Sequence, residues 1–233
     1  MLIVKDLTKK YGKVLANDHL SFEVPSGAIT VLAGPNGAGK STAIKAMAGL
    51  LRFSGEITIG GYPNKTLEAK RLIGYVPETP AMYGMLTVRE HMEFIARAYK
   101  LSDYQARADA LLARFELDDK AKKLGKELSK GMQQKVSLCC ALLPRPALLL
   151  VDEPMVGLDP HAIKTLKEVL MEERNANTAV LISTHLLDSV EEMWDRMLIL
   201  VEGRIAAERN RAEVTARGEK LEDLFFAVTE GKA

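Results

Sequence analysis

Eight consecutive residues, Gly34-Pro35-Asn36-Gly37-Ala38-Gly39-Lys40-Ser41, restrict the possible folds of this chain more than any other stretch. They follow the apolar run Ile29-Thr30-Val31-Leu32-Ala33 and precede a helix-like run from Thr42 to Leu51. The order is strand, glycine-rich loop, helix. Such a loop curls so that successive backbone N–H groups point inward at an anion, and the helix N-terminus behind it adds its positive dipole end. In this pattern Lys40 reaches the outer phosphate oxygens of a nucleoside triphosphate and the Ser41 hydroxyl binds Mg²⁺. The backbone from Asn36 through Gly37, Ala38 and Gly39 to Thr42 forms the rest of the cradle. The alternative, a glycine-rich turn with a capping lysine, leaves the filled pattern and its strand–helix context unexplained.

The chain of 233 residues can bury a full core as one domain with a subdomain. A net charge of +1 gives no bulk electrostatic reason to bind nucleic acid or lipid headgroups. No apolar run approaches the roughly 18 residues of a membrane span, and the N-terminus has no signal-peptide pattern. The expectation is a soluble, cytoplasmic protein whose membrane role, if any, goes through partners. Cys139 and Cys140 are neighbours in a predicted helix and point to different faces, so they are expected as reduced thiols rather than a bridge.

Around the loop the chain alternates strand and helix. Residues 2–9, 19–24, 55–60 and 72–76 read as strands. From about 80 to 143 the pattern turns helical. Thr87 caps a helix from Val88 to Tyr99, Ser102-x-x-Gln105 reads as a capping box for a second, and a third starts near Ser129. Strands return at 147–151 and 178–183, with helix expected at 163–174 and 186–194. Residues 197–208 form a hairpin about Glu202-Gly203, and the tail from about 210 to 233 is charged, helical near 221–228 and frayed at its end.

Val151-Asp152-Glu153-Pro154 is the second anchor. An apolar strand delivers Asp152 at its C-terminal end, where open α/β sheets bind ligands. Asp152 is placed to hold Mg²⁺, and Glu153 to polarise the water that attacks the terminal phosphate. Leu128-Ser129-Lys130-Gly131-Met132 is the third. Ser129 caps a helix and Gly131 permits close backbone approach, which makes a second anion-binding helix start; an ordinary N-cap gives the same local pattern.

In this order the three motifs resemble the nucleotide-binding subunit of an ABC transporter, over about residues 2 to 208. The resemblance implies a P-loop NTPase core of α/β class with a mixed sheet, an N-terminal antiparallel β subdomain and a helical insert at about 80–143. Residues 1–233 form a single ATP-binding domain on this reading. It further implies ATP and Mg²⁺ as cofactors and an active ATPase. Tyr11 takes the place of an aromatic that stacks on adenine. Ser183-Thr184-His185 ends a strand with the histidine that senses the terminal phosphate. Gly157-Leu158-Asp159 matches the loop after the catalytic glutamate; Asp159 is both a helix cap and an interface candidate. The family's Mg²⁺-binding glutamine corresponds to Glu78, which keeps an oxygen for the metal, loses the donor and adds charge. Lys130 and Met132 depart from the usual Gly and Gln of the signature but leave Ser129 and Gly131 intact.

The resemblance also implies a head-to-tail dimer, with a second copy or a paralogous ATPase subunit. Ser129 and Gly131 of one subunit then cover the ATP of the other. Separately encoded integral membrane subunits dock along residues 76–100, which places the chain on the inner face of the membrane. The Glu78 and Lys130/Met132 departures resemble bacterial exporters of drugs, peptides or ions. A soluble ABC ATPase acting on DNA or ribosomes is the rival, and a regulator of a non-transport membrane protein is a third reading. No heptad run, second phosphate loop or basic excess favours nucleic acid.

Overall fold

The computed structural model describes residues 1–218 and 221–229. The chain opens with β1 (Leu2–Tyr11) and β2 (Val14–Val24), an antiparallel hairpin closed where Tyr11 pairs with Val14. The strand β3 (Ile29–Ala33), the glycine loop and α1 (Lys40–Met47) follow. Next come β4 (Ser54–Ile59), β5 (Tyr62–Pro63), the short α2 (Leu67–Arg71) and β6 (Ile73–Val76). Three helices then succeed one another: α3 (Val88–Tyr99), α4 (Gln105–Arg114) and α5 (Lys130–Leu142). The chain resumes alternation with β7 (Leu148–Asp152), α6 (Pro160–Asn175), β8 (Ala179–Thr184), β9 (Arg196–Val201) and β10 (Arg204–Asn210). It closes with α7 (Arg211–Arg217) and α8 (Leu221–Thr229). The frayed end expected beyond Thr229 lies outside the described residues.

Two sheets result. One is antiparallel, ordered β2-β1-β4-β5; the other is mixed, ordered β10-β9-β3-β8-β7-β6, with only β10 antiparallel to its neighbour. Every residue of β3, β7 and β8 is buried, which is why these strands read as largely apolar runs without alternation. Strand parity sorts them onto two faces. Leu32, Leu148, Leu150, Leu181 and Leu198 pack with α1 and the antiparallel sheet. Val31, Leu149, Val151, Ile182 and Met197 pack with the helices from α3 to α6. Each such buried Leu, Ile or Val side chain contributes about 1.5–3 kcal/mol.

Helix starts follow from local capping. Thr87 and Glu90 form a reciprocal capping box on α3, with Thr87 N donating to Glu90 Oε2 at 2.7 Å. Asp159 Oδ1 accepts from Ala162 N at 2.9 Å at the start of α6, whose first residue is Pro160. Two expectations are corrected. Ser102 caps nothing: Asp103 takes a left-handed φ of 51°, which turns the chain away, and α4 starts at Gln105 behind an uncapped Tyr104. Residues 186–194 form one 3₁₀ turn, Leu187–Ser189, rather than a helix. Burial of Val190, Met193 and Trp194, and the pairing of Asp195 with both backbone groups of Ile29, draw this segment back to the base of β3. Cys139 is buried and Cys140 half-buried, both as free thiols. Burial pushes the Cys140 thiol up to about 12, which disfavours its thiolate.

Candidate functional site

The parallel register brings three strand ends to one edge. Ala33 pairs with Thr184, and Asp152 pairs with Ser183. The glycine loop, Glu153 and His185 therefore leave the sheet side by side. They border a cleft of about 420 Å³. Its walls include Tyr11, Asn36 to Thr42, Glu78, Glu153 and His185, all of which the sequence singles out. Asp152 lies fully buried just below, and its Oδ1 accepts a hydrogen bond from Ser41 Oγ at 3.1 Å.

The loop conformation depends on Gly39, whose φ of 103° is open to glycine and strained for other residues. A Cβ there would also lie 2.2 Å from the Ala16 carbonyl oxygen. Lys40, only 6% exposed, donates from Nζ to the Gly34 carbonyl at 2.8 Å and the Pro35 carbonyl at 3.2 Å. Its ammonium stands 3.6 Å from Glu153 Oε1.

Two carboxylates are held differently. Asp152 Oδ1 also accepts from Ser183 Oγ, whereas Oδ2 is buried without a partner. Burial raises the Asp152 carboxyl above its usual range. The Ser183 and Ser41 hydrogen bonds oppose that shift, and the charges of Glu78 and Glu153 add to it. Glu153 sits at a left-handed φ of 47°, a strained conformation that its N–H bond to the Ser183 carbonyl at 3.1 Å helps to hold. Its Oε1 accepts from His185 Nδ1 at 2.9 Å and its Oε2 from His185 N at 3.4 Å. Since a carboxylate only accepts, Nδ1 carries the proton, and His185 Nε2 can donate only from the doubly protonated ring.

At the other end of the cleft, Tyr11 closes the β1–β2 hairpin with its ring 47% exposed and Lys9 Nζ 4.8 Å from the ring centroid. Val14, Leu15 and Ala16 continue this wall, and Glu202 and Gly203 of the β9–β10 turn form another. These last five residues carry no motif. Their place depends on backbone pairing between distant segments, such as Asp18 N donating to the Gly203 carbonyl at 2.8 Å. The Glu202-Gly203 pair is the sequence signal here, and it marks a hairpin rather than a cleft wall.

Ser129 and Gly131 lie outside this cleft. Ser129 is exposed at the start of α5 and its Oγ accepts from Met132 N at 3.3 Å. A Cβ on Gly131 would come within 2.8 Å of the Gly157 carbonyl oxygen, so the first turn of α5 and the loop at Gly157 pack backbone to backbone. Asp159, one residue past Leu158, stands 3.4 Å from Lys135 Nζ of α5. The Ala162 N–H bond, with Lys135 assisting, holds the Asp159 carboxyl below the usual range.

A parallel sheet whose strand ends carry a glycine loop and a helix start defines a P-loop nucleotide-binding protein. Comparison with known proteins narrows the class. A family model described as ABC transporter matches residues 17–156. The ABC-type transporter ATP-binding protein EcsA of Bacillus subtilis (strain 168) is 38% identical over 242 residues, covering 100% of this chain and 98% of EcsA. The SkfA peptide export ATP-binding protein SkfE of the same organism is 34% identical over 208 residues, covering 88% of this chain and 87% of SkfE. A solved dimer of the ATP-binding cassette MJ0796, in a post-hydrolysis state with ADP and Pi, superposes with a TM-score of 0.79 at 25% identity, covering 90% of this chain and 98% of that one. The chain belongs to the ABC transporter family, as an ATP-binding and ATP-hydrolysing subunit. Such subunits dimerise and work with membrane subunits. Among the described residues no helix is long and apolar enough to cross a membrane.

Proposed function

We propose that this chain powers an exporter from the inner face of the membrane, as one single-domain half of a head-to-tail dimer whose helical part spans about residues 80–143. The observation that carries the catalytic reading is Glu153, fixed between Lys40 and His185 at the edge of the cleft. Adenine stacks on Tyr11. The N–H groups from Asn36 to Thr42, with Lys40, bind the phosphates. Glu153 orients a water and takes its proton as the water oxygen bonds the γ-phosphorus and the bond to the bridging oxygen breaks, releasing ADP and phosphate. His185 contacts the same phosphoryl group from the adjacent strand end.

The residues present suit a divalent cation. Asp152 Oδ2 is an unpartnered buried acceptor on the carboxylate that holds Ser41, and Glu78 reaches the same cleft. Ser41, Asp152 and Glu78 are therefore assigned to Mg²⁺, which when bound neutralises charge on the phosphate oxygens. Ser129 and Gly131 of the second subunit cover the outer phosphate face.

Docking of the membrane subunit is assigned to the groove between residues 74–83 and α3, about 360 Å³ and lined by Tyr75, Pro77, Met82, Tyr83, Phe94 and Ile95. Its outer rim exposes Tyr83 and Phe94, packed edge to face at 5.3 Å between centroids. His91 fixes the groove, with Nδ1 donating to the Thr87 carbonyl at 2.7 Å and Nε2 accepting from Tyr83 N at 3.0 Å. Export is favoured by the likeness to SkfE and by the Glu78 and Lys130/Met132 pattern.

Replacing Glu153 by Gln tests the catalytic assignment. ATP binding should persist, hydrolysis should fall by about 100-fold or more, and ATP should hold a dimer on size exclusion. Hydrolysis near the unsubstituted rate would show that Glu153 is not the base.

A further inference from the structure

The β9–β10 turn enters the cleft without belonging to any of the motifs above. Val201 pairs with Arg204, leaving Glu202 and Gly203 as a two-residue turn with φ values of 48° and 78°. Positive φ at both positions favours Asn-Gly or Asp-Gly, so glutamate at the first is strained. The turn is fastened on both sides. Gly203 N donates to the Ala38 carbonyl of the glycine loop at 3.0 Å, and the Gly203 carbonyl accepts from Asp18 N of β2 at 2.8 Å. A Cβ at Gly203 would lie 2.9 Å from the Ala16 carbonyl oxygen, which leaves no room to withdraw. Glu202 is exposed and lines the cleft, and among the described residues no hydrogen bond or ion pair ties down its carboxylate.

We infer that Glu202 is a nucleotide-recognition residue that accepts a hydrogen bond from a ribose hydroxyl. The inference rests on ATP occupying this cleft as proposed above. Tyr11 and Val14 border the base end, and Asn36 to Thr42 the phosphate end. The turn packs on Ala16, next to Val14 and Leu15 at the base end, and is tied to the Ala38 carbonyl of the phosphate loop, so Glu202 stands where the two ends meet. Glu153 has Lys40 beside it, and Glu78 the proposed Mg²⁺, to offset repulsion from phosphates; Glu202 has no such cation among the described residues, whereas beside a sugar it finds hydroxyl donors whose hydrogen bonds it can accept. Acidic side chains recognise ribose in this way in other nucleotide folds.

The test compares the binding of ATP, 2′-deoxy-ATP and 3′-deoxy-ATP by calorimetry, using the full chain and the variants E202A and E202N. Asn suits the left-handed position, so E202N should melt at the same temperature as the parent or higher, but its side chain is one carbon shorter. The parent should bind ATP about tenfold tighter than at least one deoxy analogue, the loss expected for a hydrogen bond to a charged acceptor. Both variants should bind the three nucleotides within about twofold of one another. The inference is overturned if the parent does not discriminate, if folded E202N keeps the parent's discrimination, or if it loses affinity for all three nucleotides equally. A parent that binds ATP but ignores the sugar hydroxyls refutes only this inference; a parent that binds no ATP refutes the cleft assignment as well.

Discussion

Asp152→Asn should make the free protein more stable and the enzyme inactive. Asp152 is fully buried, with Ser41 and Ser183 donating to Oδ1 and nothing meeting Oδ2. Its carboxyl is raised chiefly by burial. The folded state therefore keeps a proton that the unfolded chain has already released. Stability falls as pH rises from the unfolded value of 3.8 through the folded one, and at neutral pH the whole penalty is present. The isosteric amide keeps an acceptor for both hydroxyls and replaces an unpartnered charged oxygen with an unpartnered neutral group. Against this, the two hydrogen bonds lose their charge assistance. The balance is about 1 kcal/mol in favour of Asn, which corresponds to about 2–4 °C in melting temperature for a domain of this size. Thermal melts of both proteins between about pH 4 and pH 8, without nucleotide, measure it. The advantage of Asn should be largest at the alkaline end and shrink towards pH 4. Added Mg²⁺ and ATP should then stabilise the parent and leave the variant little changed, with hydrolysis down by about 100-fold. A variant less stable than the parent at pH 7, or a difference independent of pH, would refute the account of Oδ2 as an uncompensated acceptor.

Two more outcomes follow from named contacts. Glu78→Gln should raise the Mg²⁺ concentration for half-maximal ATPase rate by several-fold, because a neutral oxygen replaces a charged one; an unchanged Mg²⁺ profile and rate removes Glu78 from the metal assignment. Phe94→Asp should leave the ATPase rate of the free subunit within about twofold while abolishing its recovery with membranes, since a charge in an apolar groove is costly to bury; retained membrane recovery moves the docking site elsewhere.

The parts of the site that are legible in the sequence are those in which one segment carries its own chemistry. The glycine loop, Asp152-Glu153 and the strand ending at His185 each show an apolar run followed by a reactive tip, and parallel pairing brings the tips together. Glu153's left-handed backbone is not legible, because glutamate carries no local signal for it. Nor are Val14 to Ala16 and Glu202 as cleft walls, since their position is fixed by hydrogen bonds between β2, the glycine loop and the β9–β10 turn. The same limit produced the two errors of secondary structure. Ser102 has the residues of a capping box, but the φ of Asp103 separates it from α4. Residues 186–194 have helical periodicity, but Asp195 must reach Ile29, and a single 3₁₀ turn allows that.

The glycine loop supplies one anion-binding helix start to the cleft, while the other, at Ser129, is exposed and lies outside its lining. In the proposed dimer these two ends serve different nucleotides, and within one chain α5 touches the segment that follows Glu153. Gly131 packs on Gly157 so closely that a methyl group would clash, and Lys135 joins α5 to Asp159 at the start of α6. The loop so gripped begins at Glu153 itself, whose carbonyl accepts from Val156 N at 3.3 Å. In the proposed dimer a contact made at Ser129 would bear, through Gly131 and Lys135, on the segment that begins at Glu153. The packing on Gly157 gives a physical reason for glycine at 131, because any Cβ there would press on the Gly157 carbonyl oxygen.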